Sequence, residues 1–440
     1  MDHDDSRTRA RALEVVAAVA ERLSDPRHVA AHATPTAEYA GSLLANGHAG
    51  VALLFIELGR WEPRWNVPGT AHLLASVAGL KGAASRVGLF GGLAGLGFAC
   101  RLVASEQEGY LSVRQHVRSP VNATAVRLAA ALHERFSHGE PNLGVNDYDL
   151  FYGLTGLGTY LLAEDKADDG GLVGVIDALS LLAGTREIAG HRVPSAWVER
   201  TPLIGYPQGY LNLGLAHGLA GVLAFLASAL LVGVEFPRQR ETVEHLATWL
   251  LAQRRPDRRG RLCWPRILSF GEVTGVANTT PLTQLGWCYG SVGVANALRL
   301  AARALHRPEW MRDAITTMRD GFDVAGDLDH VRDAGICHGW AGLLCLVLRA
   351  LDDVTEPQAR DALQELSTTL AERVLGQFEP DSRFGFRAVH GNEMYDDPGF
   401  ALGAAGTALA LHAYATGQPP RSGWDSALLL VPPPVDGSAE

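Results

Sequence analysis

Seven times along the 440 residues a glycine pair spaced G-x-x-G opens a run of small and apolar residues, which narrows the fold more than any other feature. The pairs are Gly47/Gly50, Gly92/Gly95, Gly153/Gly156, Gly218/Gly221, Gly290/Gly293, Gly339/Gly342 and Gly403/Gly406. In a chain with 49 glycines roughly five bare pairs arise by chance, so the spacing counts only through the residues that come after it. Those runs are VALLFIEL, LGFACRLVA, LGTYLLAE, VLAFLASALL, VANALRLAARAL, LLCLVLRALDD and TALALHAYA. They are rich in Ala and Leu and lack the strict alternation of strands, so they are predicted helices.

More polar stretches separate them: Arg7–Leu23, Ala123–Phe136, Arg238–Leu251, Pro308–Phe322 and Glu356–Leu375. Each shows one apolar stripe and is expected to lie on a surface. The chain therefore alternates apolar inner helices with amphipathic outer ones, about seven of each by this pattern. The pairs recur at 45 to 72 residues, too unevenly for an open solenoid of equal units. A closed α/α barrel satisfies the alternation better, with every inner helix starting at the same end. The segment from Glu164 to Tyr210 breaks the rhythm and is expected to be a small inserted, partly β extension, while 431–440 is expected to be a disordered tail.

A content of 47% hydrophobic and 20% charged residues fits a globular chain with a large core. The net charge of -10 argues against nucleic acid or an anionic membrane as partner. From Thr201 through Val234 there is no charge, and Leu211–Val234 is long enough to span a bilayer. Asn212, His217 and several glycines within it favour a buried helix instead. The acidic N-terminus has no apolar core of a signal peptide, and the odd set of five cysteines suits a reducing cytoplasm.

Chemistry is confined to four consecutive tips. Asp149 stands four residues before Gly153, His217 one before Gly218, Cys288 two before Gly290 with Tyr289 between, and Cys337 and His338 immediately before Gly339. Only in a ring would these tips face one another. Two thiolates and an imidazole suit Zn²⁺ with a fourth position left for water or substrate. Such a charge-neutralised centre is better suited to binding a further thiolate than to generating hydroxide. Each residue also has an ordinary use. Cys100 and Cys345 are expected in the core, Cys263 carries no signal, Asp149 can cap a helix, Tyr289 can simply pack, and a lone buried His217 is usually structural.

The segments NLGLAHGLAGVLAFL, WCYGSVGVANAL, ICHGWAGLLCLVLRAL and PGFALGAAGTALALH resemble the lanthionine synthetase C-like family over nearly the whole chain. The resemblance is to a stand-alone cyclase of the class I lanthipeptide pathway. It implies one all-α domain over 1–430, a double α/α toroid of seven inner and seven outer helices. The implied activity is zinc-dependent addition of precursor-peptide cysteine thiols to dehydroalanine or dehydrobutyrine, giving lanthionine and methyllanthionine rings. Carried over by position, Cys288, Cys337 and His338 match the zinc ligands, His217 and Asp149 the acid/base pair, and Tyr289 the tyrosine after the first cysteine. The implied partners are a dehydrated precursor peptide and a dehydratase, in a biosynthetic complex that can associate with the membrane. One position departs: Gln284 stands where the family commonly has arginine, and Arg266 is a nearby cation able to take that place. The alternative is a non-cyclising zinc protein of the same fold that binds glutathione-like thiols or peptides. An α/α-barrel glycosidase would need paired carboxylates, and only Asp149 stands at a tip.

Overall fold

A computed structural model describes residues 2–33, 41–80, 86–103, 108–164, 170–200, 203–257, 260–277, 285–321 and 331–434. The chain begins with α1 (Asp2–Leu23), α2 (Pro26–His32), α3 (His48–Gly59), α4 (Asn66–Gly79), α5 (Leu93–Arg101) and α6 (Glu108–Ser137). It continues through α7 (Leu154–Ala163), α8 (Gly171–Ser180), β1 (Thr185–Ile188), β2 (His191–Pro194) and β3 (Tyr210–Asn212). Next come α9 (Leu219–Leu231), α10 (Gln239–Ala252), β4 (Arg255–Pro256), β5 (Leu262–Cys263), β6 (Ile267–Ser269) and α11 (Phe270–Val273). The last elements are α12 (Ser291–Leu305), α13 (Pro308–Asp320), α14 (Trp340–Leu351), α15 (Pro357–Leu375), β7 (Ala388–His390), β8 (Glu393–Tyr395) and α16 (Ala404–Thr416). Helices dominate, and the strands form only antiparallel pairs.

Two compact units emerge, Met1–Val117 with Ala325–Asp425, and Arg118–Val324 with Ser426–Glu440. In the first, α5, α3, α16 and α14 pack side by side in that order, with α4 laid on α3, α1 on α16 and α15 on α14. In the second, α7, α9 and α12 pack in order, covered by α8, α10 and α13 respectively. The inner helices of both are the glycine-led runs. They are buried nearly all round, so their stability comes from packing rather than from a single stripe.

All seven first glycines are the N-caps of these helices. The second glycine serves closeness. A Cβ would fall 2.2 Å from the Leu44 carbonyl oxygen at Gly50, 2.2 Å from that of Leu89 at Gly95 and 2.3 Å from that of Leu215 at Gly221. At Gly293 it would meet the Trp287 carbonyl at 2.6 Å, and at Gly406 that of Phe400 at 1.9 Å. In every case the carbonyl lies six residues upstream, so one turn that folds back over its own helix start is built repeatedly.

The five amphipathic stretches are helices within a few residues of their expected bounds, apart from Ala123–Phe136, which is the C-terminal half of the longer α6. Two further outer helices, α4 and α8, were not expected: NVPGTAHLLASVAG and GLVGVIDALS carry a single charged residue, Asp177, between them, although α4 buries only the side that holds Gly69, His72, Leu73 and Ser76. In the stretch 164–210, α8 precedes the β1–β2 hairpin, whose turn residues Ala189 and Gly190 have φ of 50° and 77°. Of the expected tail, residues 435–440 lie outside the described residues. The uncharged stretch before Val234 forms β3, a loop and the 13-residue α9. Among the described residues no helix is long and apolar enough to cross a membrane.

Candidate metal centre and its acid–base neighbours

The tips that precede the inner helices are laced together by their backbones. In the second unit Leu150 N–H donates to the Ala216 carbonyl at 2.9 Å, and Ala216 N–H to that of Cys288 at 3.2 Å. In the first, Cys337 N–H donates to the Ala401 carbonyl at 2.8 Å, Ala401 to Ala45 at 2.7 Å and Ala45 to Phe90 at 3.2 Å. Apart from Leu150, every residue named stands two before its anchor glycine. Cys288 and Cys337 therefore stand at equivalent positions of their own tips, and His217 and His338 one position further along.

A second regularity brings side chains together. At four tips the residue four before one anchor glycine touches the residue one before the next. A Cβ on Gly214 would lie 2.6 Å from the Tyr289 ring, one on Gly335 2.7 Å from the Leu402 carbonyl, and one on Gly399 2.3 Å from Asn46 Cα. Where these three tips need glycine, the third repeat has Asp149, and its neighbour is His217. Asp149 Oδ2 accepts from His217 Nδ1 at 2.7 Å, while Oδ1 accepts the backbone N–H groups of Tyr152 and Gly153, each at 2.8 Å. The carboxylate is fully buried and the imidazole a quarter exposed. Because a carboxylate only accepts, the imidazole proton sits on Nδ1 and Nε2 carries the lone pair. Phe151 backs the ring at 4.8 Å between centroids, and Tyr289 lies at 5.9 Å.

Tyr289 is itself held. Its hydroxyl accepts from Asn212 Nδ2 at 3.1 Å, and the Arg266 guanidinium carbon lies 4.9 Å from the ring centroid. Burial pushes its phenol up to about 12, with Cys288 and Tyr210 acting in the same direction and Asn212 and Arg266 opposing, so the group is neutral at physiological pH. Gln284, the departure from the family pattern, lies outside the described residues.

The expected metal ligands are divided between the units, Cys288 in one and Cys337 with His338 in the other. Among the described residues no three His, Cys, Asp or Glu side chains are gathered as a metal-binding group. The donor chemistry nonetheless fits zinc. Cys288 is buried, Cys337 half-buried, and neither is in a disulfide. His338 Nδ1 lies 3.2 Å from Oδ2 of the buried Asp333, whose Oδ1 accepts from Gly335 N–H at 2.9 Å. A carboxylate on Nδ1 orients a histidine and makes Nε2 the coordinating nitrogen, the usual support of a zinc imidazole. The remaining cysteines, Cys100, Cys263 and Cys345, are buried, and burial raises the thiols of Cys263 and Cys345, that of Cys263 to about 11.

Asn212, Asp333 and Asp397 were not among the site residues expected from the sequence. All three stand six before an anchor glycine and accept from a glycine N–H two residues on, at 3.0, 2.9 and 2.7 Å. The legible signal was the repeated Asx-x-Gly four residues upstream of the G-x-x-G, an Asx turn that feeds each tip into its helix.

A family model described as lanthionine synthetase C-like protein matches residues 40–429. The nisin biosynthesis protein NisC of Lactococcus lactis subsp. lactis is 26% identical over 256 residues, 56% of this chain and 59% of that protein. The aligned region thus spans about three-fifths of that relative's length. A solved structure titled nisin cyclase superposes with a TM-score of 0.75 at 21% identity, covering 95% of this chain and 96% of the other. That likeness bears out the fold class expected from the sequence.

Proposed function

Because the chain belongs to the lanthionine synthetase C-like family, we propose that it is a lanthipeptide cyclase. Its substrate is a precursor peptide bearing dehydroalanine or dehydrobutyrine together with free cysteines. Each turnover forms one C–S bond, breaks one C=C π bond and moves the thiol proton to the α-carbon. The product is a lanthionine or methyllanthionine ring of unchanged mass.

The observation that carries this reading is the Asp149–His217 couple on the tip beside Cys288. Thiol addition to a dehydroamino acid leaves an enolate that must be protonated on carbon, and a partly exposed, carboxylate-oriented imidazole is suited to deliver that proton. Asp149 fixes the tautomer and stabilises the imidazolium that alternates with the neutral ring, as a buried carboxylate does in other histidine pairs. Phe151 and Tyr289 limit how the imidazole can rotate and give the reacting centre an apolar flank. Zinc held by Cys288, Cys337 and His338 would supply a substrate thiolate at neutral pH.

The test is incubation of the purified chain with a dehydrated precursor peptide, followed by alkylation of remaining thiols and mass spectrometry. Alkylation is expected to fall by one equivalent per ring while the unlabelled mass stays constant. Persistence of every thiol, in protein that contains zinc, would favour the thiol- or peptide-binding alternative and overturn the cyclase reading.

A further inference from the structure

Asn212 is a buried side chain of β3, outside the set of acid, base and metal ligands, yet both ends of its amide are engaged at the site. Oδ1 accepts from Gly214 N–H at 3.0 Å, and Nδ2 donates to the Tyr289 hydroxyl at 3.1 Å. The orientation of the amide is not arbitrary. A backbone N–H can only donate, so it requires the carbonyl oxygen of Asn212 and turns the NH₂ group toward Tyr289.

That orientation decides what the tyrosine can do. With an N–H directed at its oxygen, the hydroxyl is the acceptor in this pair, and its own proton must point to a different acceptor. The ring is seated so that only glycine is tolerated beside it: a Cβ at Gly214 would lie 2.6 Å from Tyr289 Cδ1 and 2.8 Å from Cε1. The Arg266 guanidinium near the same ring draws electron density from the phenol and strengthens its O–H as a donor. Tyr289 also neighbours the His217 imidazole, the group assigned to protonate the α-carbon.

We propose that Asn212 is a positioning residue that makes the Tyr289 hydroxyl a hydrogen-bond donor to the substrate carbonyl oxygen, where negative charge gathers during thiol addition. The inference rests on the cyclase reading. As the thiolate attacks the β-carbon, the π electrons move onto that oxygen, and a donor already aimed there stabilises the enolate until His217 protonates the α-carbon. Asn212 is also part of the turn that carries His217, so one amide sets both the donor and the loop of the proton source.

A double-mutant cycle separates this role from a merely structural one. Asn212→Asp keeps the acceptor for Gly214 but presents a carboxylate oxygen to Tyr289, which then captures the phenolic proton. The wild type, N212D, Y289F and the double variant are compared in kcat and KM for ring closure, with zinc content and melting temperature measured on each. N212D and Y289F are each expected to lower kcat roughly 100-fold, the scale of losing one oxyanion donor, with KM nearly unchanged. On the Y289F background N212D should then cost less than about twofold, because its effect passes through the hydroxyl. Equal losses on both backgrounds, or an N212D enzyme as fast as wild type, would overturn the inference. A wild-type protein that closes no ring would instead overturn the cyclase reading, so the two failures are told apart.

Discussion

Asp149 divides its two oxygens between tasks that sequence reasoning treated as alternatives. One accepts the N–H groups of Tyr152 and Gly153 in the turn before α7, and the other holds His217. The acceptor that closes the turn before α7 and the proposed acid/base partner are thus the same residue, because a tip four residues upstream of the anchor glycine is also the place where the next tip arrives. His338 shows the same economy: its Asp333 both closes an Asx turn and orients the ring. At this scale the prediction concerns His217. His217→Ala removes the proposed proton donor without touching the proposed ligands Cys288, Cys337 and His338, so zinc measured by elemental analysis is expected at one per chain in wild type and variant alike. Ring closure should slow by about 10²–10⁴-fold, the usual contribution of a positioned acid or base. Loss of the metal in that variant would instead identify His217 as a ligand.

The repeating element is a turn and a helix start, and its glycines are of two kinds. The first, at the N-cap, is mostly extended, although Gly290 has φ 110°, a conformation that side chains rarely adopt. The second lies against a carbonyl of its own turn, where even a methyl group has no room. Gly406→Ala should therefore destabilise the protein by about 3 kcal/mol or more, since the atom opposed is backbone and cannot swing away. Gly109, near the start of α6, is exposed and has nothing within 4 Å of its would-be Cβ. Gly109→Ala should be neutral or stabilising by up to about 1 kcal/mol. Urea titration of both variants checks the contrast, and equal effects would refute this account of the repeat. The outer helices with a polar face were legible as such, whereas α4 and α8 were not, because α4 leaves apolar residues such as Val67 and Leu74 exposed and periodicity cannot then mark the buried side.

For the molecule as a whole, acid is the expected weak point. His72 is wholly buried; its Nε2 lies 2.7 Å from the Leu23 carbonyl and its Nδ1 3.0 Å from His48 Nδ1. The carbonyl requires the proton on Nε2, so His72 Nδ1 accepts and His48 Nδ1 donates; neither ring is charged. Burial pushes His72 down to about 4 from an ordinary 6.5, outweighing the Leu23 bond and the distant Asp25, with His48 adding to the fall. Burial lowers His48 and His412 as well. Each of these groups binds its proton more readily in the unfolded chain. Stability contributed by the neutral rings is thus present above about pH 6.5 and is lost as pH falls toward 4, about 3 kcal/mol for His72 alone. Denaturation at pH 7.5, 5.5 and 4.5 should show that slope, and His72→Gln should flatten it. A slope unchanged in His72→Gln would contradict the assignment.

What the sequence determined by itself was the repeat and its register: which glycines start helices, which helices lie inside, and which tips carry Asp149, His217, Cys288, Tyr289, Cys337 and His338. Those features arise from local chemistry, since helix propensity, glycine at a cap and apolar period act within a few residues of the chain. Tertiary structure alone decided the contacts between tips. The bond from Asp149 to His217 spans 68 residues and that from Asn212 to Tyr289 spans 77. No local preference encodes such a pairing. It exists because backbone rungs join successive tips and place the fourth residue before one glycine against the first residue before the next, so that neighbours in space are neighbours in the repeat and strangers in the chain.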